Sequence, residues 1–343
     1  MIQHFRFGSP IRTDSVVQDI PVSSDAVPFL TADADGWVYT MAPDAIVYGL
    51  GEMPRGINKR GWHYVANNTD ESHHGENKVS YYGAHNFLLI DGGPGGDLFG
   101  VFVDFPGKVH YDIGYTVHDT LRFATEEPDY ELYILTGADL NDIAHQFRQL
   151  IGRSYIPPKW AFGLQQSRWG YKTAEDVREV ARQYKENMDI DYMQDYADFT
   201  INKERFPDLA ALAAELKAQG IRLVPIIDAG VRIDPEEPTC TEGLEKGYFC
   251  KKEDGTPFVA AVWPGKAYFA DFLRPEVRAW FGHRYKVLTD CGIEGFWNDM
   301  NEPALFYSPD RLKAFLDSMH ELRGQDNIVQ EEFFARVVGG AMG

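Results

Sequence analysis

The stretch PDLAALAAELKAQGIRLVPIIDAG, residues 207–230, contains a complete helix-to-strand unit. Pro207 stands near the start of its helix and Gly220 follows the last helical residue, as is common at helix ends. The segment IRLVPIIDAG that follows is almost continuously apolar, which is typical of a strand buried on both faces. Such strands belong to parallel sheets covered by helices, so this stretch predicts an α/β architecture.

Similar units occur on both sides of this stretch. TAEDVREVARQYKEN, residues 173–187, has apolar residues at i, i+3, i+4 and i+7 and a possible capping box, and RPEVRAWFGHRYKVLTDCG, residues 274–292, leads into IEGFWND. Polar residues collect just past the strand ends, namely Gln166, Arg168, Asp189, Asp191, Asp228 and Asp299. A (β/α)8 barrel gathers its active site at that end of its strands. No GxGxxG or Walker A sequence follows a strand, which disfavours a nucleotide-binding open sheet.

The first 130 or so residues follow a different pattern. Short runs rich in aromatic and β-branched residues are separated by Gly-Gly, Pro-Gly and Asn-rich breaks, which is typical of a β-sandwich. The sequence DLNDIAHQFRQLIG, residues 139–152, then predicts a helix. We therefore expect a β-sandwich N-terminal domain over 1–130, a linking helix within 131–154, and an incomplete (β/α)8 TIM barrel over 155–343.

The composition narrows the class of protein. A formal net charge of −19 repels phosphate backbones, so nucleic acid is not an expected partner. The three cysteines, Cys240, Cys250 and Cys291, form no CxxC pair, which argues against a disulfide framework or a zinc site and favours a reducing compartment. The N-terminal residues lack the apolar core of a signal peptide, and no run approaches the ~20 apolar residues of a membrane span. We expect a cytoplasmic protein with no membrane partner, metal or cofactor.

Several motifs occur in the order in which they appear in a known family. GFWNDMNEP, residues 295–303, resembles the nucleophile signature of glycoside hydrolase family 31, whose pattern is roughly W-x-D-M-N-E. IVYGLGE and GINKRG resemble that family's N-terminal, galactose-mutarotase-like domain. PPKWAFG with QSRWGY resembles its first barrel strand, DIDYM its second, VPIIDAGV its third and AAVWPG its substrate-site tryptophan loop. The likeness runs from about residue 45 to about residue 308 and is to the N-terminal portion of an α-glucosidase-type enzyme.

The resemblance implies that Asp299 is the nucleophile of a retaining, exo-acting α-glucosidase, which forms a covalent glycosyl-enzyme intermediate. Cleaving an acetal requires a proton for the departing oxygen and stabilisation of an oxocarbenium-like centre, and two carboxyl groups roughly 5–5.5 Å apart supply both. Trp297, two residues earlier on the same strand, is expected to face the same side and to keep the pocket dry. An aspartate at a strand end can also simply cap the next turn. Asn301 and Glu302 are expected to support the loop, with solvated turn residues as the alternative.

The resemblance also implies a set of substrate-binding residues. Asp189 matches the family aspartate that binds the hydroxyl groups of the terminal sugar, and Ile190 leaves room for the C6 hydroxymethyl group that bulkier α-xylosidase residues exclude. The further candidates are Trp263, for which a plain core role is the alternative, Asp228, Trp169 and Met300. His73, His74 and Glu76 are more simply read as a solvated turn than as a pocket rim, and no third ligand at metal spacing accompanies the histidines.

The junction RQYKENMDIDYM, residues 182–193, departs from the family pattern. Only Met188 separates Asn187 from Asp189, whereas the family has several apolar residues there as the body of the second strand. A chain that leaves a helix at the bottom of a barrel needs about five or six strand residues to reach the top. Either the last helical turns unwind, which would bury charges in an apolar barrel, or the strand is missing. We expect a shortened or misregistered second strand, for which a deletion in the gene model is the alternative origin.

The second departure is the number of units, since about four strand-like units occur where a closed barrel has eight. The acid/base aspartate of the family lies beyond the nucleophile, past Gly343. Two other interpretations therefore stand beside the glucosidase: a catalytically incompetent fragment or pseudoenzyme with residual sugar binding, and an α-xylosidase or transglycosylase relative. The expected partner is a small α-glucoside or oligosaccharide, and the full-length enzyme could form a homo-oligomer.

Overall fold

The computed structural model describes residues 1–70, 73–167, 171–184, 187–190, 192–306 and 308. The chain divides into two compact units, Met1–Ile156 and Pro157–Gly343. The sequence placed the start of the barrel at residue 155, close to this division.

Strands dominate the first unit and form two antiparallel sheets of five strands each. One sheet has the order β1-β10-β7-β6-β4 and the other the order β2-β3-β9-β8-β5. The strands are β1 (Ile2–Phe7), β2 (Leu30–Asp33), β3 (Gly36–Thr40), β4 (Ile46–Gly51), β5 (Trp62–Ala66), β6 (Ala84–Asp91), β7 (Leu98–Asp104), β8 (Val109–Ile113), β9 (Thr120–Thr125) and β10 (Tyr130–Thr136).

The two sheets bury their inner faces in one core. Alternation is clear in β8, where Val109, Tyr111 and Ile113 are buried and His110 is exposed. Buried residues of both sheets belong to the same apolar cluster, among them Val47, Leu88, Phe99, Leu121 and Leu132. This arrangement is the sandwich predicted from the short aromatic and β-branched runs, and its last strand continues through Thr136 rather than ending at residue 130.

Helix α1 (Leu140–Leu150) is the predicted linking helix and packs on the first sheet. Asp139 caps its N-terminus by accepting a hydrogen bond from the Asp142 backbone N–H. Ile143 is buried against the sheet, and the ring of Phe147 stacks on Phe87 with 3.7 Å between centroids. The helix therefore belongs to the first compact unit rather than serving as a separate linker.

The second unit alternates strands and helices as the sequence predicts. A parallel sheet has the order β11-β12-β13-β17, and an antiparallel sheet has the order β14-β16-β15. After a 3-10 helix (Lys159–Phe162) the elements are β11 (Gln165–Gln166), α2 (Ala174–Tyr184), β12 (Asn187–Ile190), α3 (Leu209–Ala218), β13 (Leu223–Asp228), β14 (Gly230–Arg232), α4 (Pro238–Glu245), β15 (Val259–Val262), β16 (Gly265–Phe269), α5 (Pro275–Arg284), α6 (Lys286–Thr289) and β17 (Trp297–Asp299).

Helices cover the parallel sheet through apolar faces. Val177 of α2, Leu212 of α3 and Phe281 of α5 belong to one buried cluster with the strand residue Ile227. The predicted capping box forms at the start of α2, where Thr173 and Asp176 exchange hydrogen bonds. Among the described residues, no helix has the length and apolar character needed to cross a membrane.

The second strand forms, but it lies low in the sheet, beside the first half of β13 and away from the carboxyl ends of the strands. In the β12–β13 pair, Met188 is opposite Leu223 and Ile190 is opposite Pro225. The β13–β17 pair instead joins the upper end of β13, with Asp228 opposite Asp299. The last residue of β12 thus falls three positions short of Asp228, in keeping with the few residues available between α2 and the DIDYM motif.

Candidate active site

Asp299 is the last residue of β17, a strand of three residues. The approach to this strand is anchored by Glu294, which accepts hydrogen bonds from Lys217 at 2.6 Å and from Arg222 at 2.9 Å. The Lys217 hydrogen bond is the main reason that the pKa of Glu294 is lowered. Lys217 lies near the end of α3 and Arg222 directly precedes β13, so these contacts tie the approach to β17 to the start of β13.

The pleat of β17 divides its side chains between two sides. Asn298 accepts a hydrogen bond at 2.6 Å from the hydroxyl of Tyr285, which lies at the end of α5. Trp297 and Asp299 flank Asn298, so they face the opposite side from the helices. The Trp297 side chain is 41% exposed and Asp299 is half-buried. A carboxylate beside an exposed indole can therefore contact a ligand at the end of the strand.

The loop after Asp299 is held by packing and by one backbone contact. Met300 has a φ of 58°, which costs a non-glycine residue about 1–2 kcal/mol. Its side chain is 6% exposed and packs with Val262, Phe269 and Ala304. The Phe306 N–H donates to the carbonyl of Ala261 at 3.0 Å. Met300, which the sequence suggested as a substrate contact, is placed as a core residue that supports this loop.

The two predicted supporting residues occupy different surroundings. Asn301 is exposed, whereas Glu302 is half-buried and precedes a cis peptide bond to Pro303. The buried Oε2 atom of Glu302 has no hydrogen-bond partner among the described residues.

Trp263 lies at the tip of the β15–β16 hairpin, between the paired residues Val262 and Gly265. Its indole is 45% exposed, stacks on Tyr196 with 6.1 Å between centroids, and meets Phe306 edge-on at 5.1 Å. Tyr196 and Phe306 were missed in the sequence. They lie in the loops that follow β12 and β17, and loops in this position form the active sites of barrel enzymes, so their position could have indicated them.

Asp228 is 2% exposed, and its backbone N–H donates to Asp198 Oδ1 at 3.2 Å. Asp198 is itself 6% exposed, and burial, followed by the nearby Asp228 carboxylate, raises its pKa well above the usual range. Sequence reasoning missed Asp198, although an aspartate directly before the aromatic Phe199 in YADF was a possible signal. Both carboxyl groups are buried rather than at an open pocket wall, and Asp228 is registered opposite Asp299.

The predicted contacts on β12 are not brought to the height of Asp299. The register sets Asp189 opposite Val224, four positions below Asp228, or about 13 Å at about 3.3 Å per residue. For Asp189 and Ile190 the structure describes the backbone only, and Trp169 lies outside the described residues. The substrate-binding roles of these three residues therefore stay predictions.

The polar turn with His73, His74 and Glu76 lies in the first unit. The ring of His74 lies 5.0 Å from that of Tyr81, and the Glu76 carbonyl accepts a hydrogen bond from Arg55. In the parts of the chain that are described, no cluster of three metal-ligating side chains occurs. A cavity of about 940 Å³ also lies in the first unit, under residues 8–22, and none of the predicted site residues lines it.

Two family models match this chain in the same order as its two units. Residues 154–329 match the glycosyl hydrolases family 31 TIM-barrel domain. Residues 21–112 match the glycosyl hydrolase 31 N-terminal galactose mutarotase-like domain. The chain belongs to glycoside hydrolase family 31. Its β-rich first unit and its partial barrel are thus the family's N-terminal domain and a fragment of its catalytic domain.

Curated family 31 proteins and solved family 31 structures are similar to this chain. It is 40% identical over 269 residues to "Alpha-glucosidase 2" of Bacillus thermoamyloliquefaciens, covering 76% of this chain and 34% of that protein. It is 30% identical over 291 residues to an alpha-glucosidase of Saccharolobus solfataricus, covering 82% and 41%. A glucose complex of a Flavobacterium johnsoniae dextranase superposes with a TM-score of 0.72 at 25% identity, covering 84% and 36%. The chain thus spans well under half the length of these relatives.

Proposed function

We propose that this family 31 chain carries the nucleophile and part of the glucose pocket of a retaining, exo-acting α-glucosidase. The observation that carries the proposal is the placement of Asp299, within the W-x-D-M-N-E sequence, at the carboxyl end of a parallel barrel strand and beside the exposed Trp297. That end of the strands is where barrel enzymes act. The alpha-glucosidase relatives support glucose as the sugar.

In the proposed reaction the Asp299 carboxylate attacks the anomeric carbon and the glycosidic oxygen departs, giving a covalent glycosyl-enzyme ester. Water then hydrolyses this ester, so the configuration of the sugar is retained. The departing oxygen needs a proton from a second carboxyl group. Asp228 and Asp198 are too deeply buried to supply it. In the family that this chain belongs to, the acid/base aspartate follows the nucleophile along the chain, so the proposal assigns proton transfer to a carboxyl group outside the described residues.

The aromatic residues beside Asp299 fit a sugar ligand. Trp263, Tyr196 and Phe306 form a continuous set of ring contacts next to the loop that follows Asp299. Aromatic faces bind the apolar C–H surfaces of sugar rings and exclude water, which strengthens the electrostatic interactions of the reacting carboxylate. In this proposal Trp297 and Trp263 wall the pocket. The cytoplasmic location and the homo-oligomer predicted from the sequence stay predictions.

Covalent trapping tests the proposal directly. A fluorinated α-glucosyl fluoride carries a leaving group that departs without protonation, so it reports on the nucleophile even where the proton donor is absent. We expect peptide mapping of the trapped protein to find one adduct, on Asp299. Asp299→Asn should abolish labelling, while Asp290→Asn, a matched change at an exposed carboxylate of the same unit, should label like the original chain. An adduct on another residue, or equal labelling of Asp299→Asn, would overturn the assignment.

A further inference from the structure

The turn formed by residues 194–200 has an unusual backbone for its sequence. Three non-glycine residues adopt positive φ angles, Asp195 at 47°, Tyr196 at 58° and Phe199 at 64°. Each such residue costs about 1–2 kcal/mol, so surrounding contacts must hold the turn in this conformation. Thr200 Oγ1 supplies two of them, accepting from the Gln194 N–H at 3.0 Å and donating to the Ala197 carbonyl at 2.5 Å.

Asp198 connects this turn to the sheet. Its Oδ1 atom accepts the Asp228 backbone N–H, while its buried Oδ2 atom has no hydrogen-bond partner among the described residues. Pairing between β12 and β13 ends with Ile190 opposite Pro225, three residues below Asp228. Strand β12 ends too early to offer a backbone carbonyl to the Asp228 N–H. The carboxyl group of Asp198 accepts this hydrogen bond instead.

We propose that Asp198 is a positioning residue for Asp299. Asp198 holds the carboxyl end of β13 to the turn that carries Tyr196, and this end of β13 pairs with Asp299. Asp228 is the shared element, since its N–H meets Asp198 and its strand position is opposite Asp299. Loss of the Asp198–Asp228 hydrogen bond would loosen β17, which carries Asp299, and also Tyr196, which stacks on Trp263. Only the catalytic role of Asp299 in this inference rests on the proposed function.

The charge state of Asp198 follows from its surroundings. The titratable groups that face it are Asp228 on β13, Glu237 before α4, Tyr192 on its own segment and Tyr285 at the end of α5. Burial first, and then the Asp228 and Glu237 carboxylates, raise the pKa of Asp198. A neutral carboxylic acid still accepts through Oδ1, whereas an ionised one would bury a second negative charge beside Asp228.

Two substitutions separate the hydrogen bond from the bulk of the side chain. Asp198→Asn keeps an acceptor for the Asp228 N–H, and Asp198→Ala removes it. In hydrogen–deuterium exchange of the full chain, we expect Asp198→Ala to speed exchange in residues 223–228 and 297–299 by about tenfold or more, the factor for a lost buried hydrogen bond. Asp198→Asn should leave these segments protected. The control Asp208→Ala, which removes the N-cap of α3, should lower stability without this local change.

The pH dependence of stability supplies a second readout. A carboxyl group whose pKa is higher in the folded than in the unfolded state lowers stability as the pH rises above about 4. Asp198→Asn lacks this loss, so its Tm should gain on that of the original chain as the pH rises above about 4. Tryptophan fluorescence follows the second unit, which holds five of the seven tryptophans, Trp160, Trp169, Trp263, Trp280 and Trp297. Unchanged exchange of residues 223–228 and 297–299 in Asp198→Ala would overturn the inference.

The trapping reaction completes the test. Asp198→Ala should slow labelling of Asp299 by about tenfold to a hundredfold, the range expected for a misplaced reacting group, and Asp198→Asn should restore it to within about twofold. If the original chain is not labelled, the proposed function fails, and the exchange experiment still decides whether Asp198 holds β13. Normal labelling of Asp198→Ala together with lost protection would limit Asp198 to a structural role and overturn the positioning inference.

Discussion

Two aspartates of this chain show how strongly local surroundings set the properties of one residue type. Asp33 of β2 accepts hydrogen bonds at 2.6 and 2.8 Å from Arg122 of β9, two strands away in the same sheet. This contact, helped by the Asp35 N–H, lowers the pKa of Asp33 to about 2. Asp198 is buried, no cation among the described residues contributes to its pKa, and that pKa moves in the opposite direction. The first aspartate favours the folded state as an anion, the second as a neutral acid.

We expect Arg122→Met to return the pKa of Asp33 from about 2 towards its ordinary value of 3.8. A lowered carboxyl pKa contributes stability that is present above about pH 4 and is lost as the pH falls through about 2. Carboxyl carbon NMR of Asp33 across this range measures the change, and Arg122→Lys, which keeps the charge but not the two-pronged contact, should give an intermediate value. An unchanged titration in Arg122→Met would show that Arg122 is not the cause.

At the level of elements, β12 is the part of the barrel in which sequence length controls geometry. Helix α2 ends at Tyr184 and β12 begins at Asn187, so only two strand residues precede Asp189. Asp189 therefore pairs opposite Val224, near the start of β13. In contrast, β13 has six residues and carries Asp228 to the height of Asp299. The number of strand residues before Asp189 decides its height in the sheet. Because the side-chain direction alternates along a strand, whether that number is odd or even decides which face Asp189 is on.

An insertion tests this account of β12. Asp189 lies opposite Val224 and the height of Asp299 corresponds to residue 228, so the deficit is 228 − 224 = 4 residues. We expect four strand-forming residues inserted between Asn187 and Met188 to lift Asp189 opposite Asp228 with its face unchanged. A crystal structure of the variant reads the register, and calorimetric titration with glucose should show tighter binding if the proposed pocket forms.

A three-residue insertion at the same point is the matched control for parity. It adds almost the same length but sends Asp189 to the opposite face of the sheet, so it should not improve glucose binding. If Met188 stays opposite Leu223 in the four-residue variant and the added residues loop out, the present register is set by contacts of β12 and not by chain length.

At the level of the whole molecule, each unit has its own apolar core. The main core of the sandwich draws on residues between Val27 and Ile134, and the core under the parallel sheet draws on residues between Tyr171 and Ile293. Neither cluster contains residues of the other unit. Domains with separate cores can fold separately, since each buries its own apolar surface.

We therefore expect residues 1–156 to fold alone into the sandwich with α1. Circular dichroism should show a β-rich protein with a cooperative melting transition, because both sheets and the helix that covers one of them are present. In the full chain, trypsin should cut first at Arg153 or Lys159, which are exposed on both sides of the division. A disordered 1–156 fragment would show that the sandwich needs the second unit.

Much of the fold could be predicted from local patterns. The runs of β8 and β13 differ in periodicity as strands of a sandwich and of a parallel sheet do, and Gly152 and Gly220 mark helix ends with positive φ. The candidate nucleophile could be found because W-x-D-M-N-E is a contiguous motif. Tyr196 and Asp198 could not be found in this way, since their partners Trp263 and Asp228 lie far along the chain.

The sequence by itself determined the two-unit architecture, the family, and the shortage of residues before Asp189, because periodicity, contiguous motifs and chain length are local properties. Only the tertiary structure decided that Met300 packs in a core, that β12 pairs low on β13, and that a buried aspartate takes the N–H of Asp228. Those outcomes depend on register and burial, which arise when segments distant in sequence compete for the same neighbours and exclude water together.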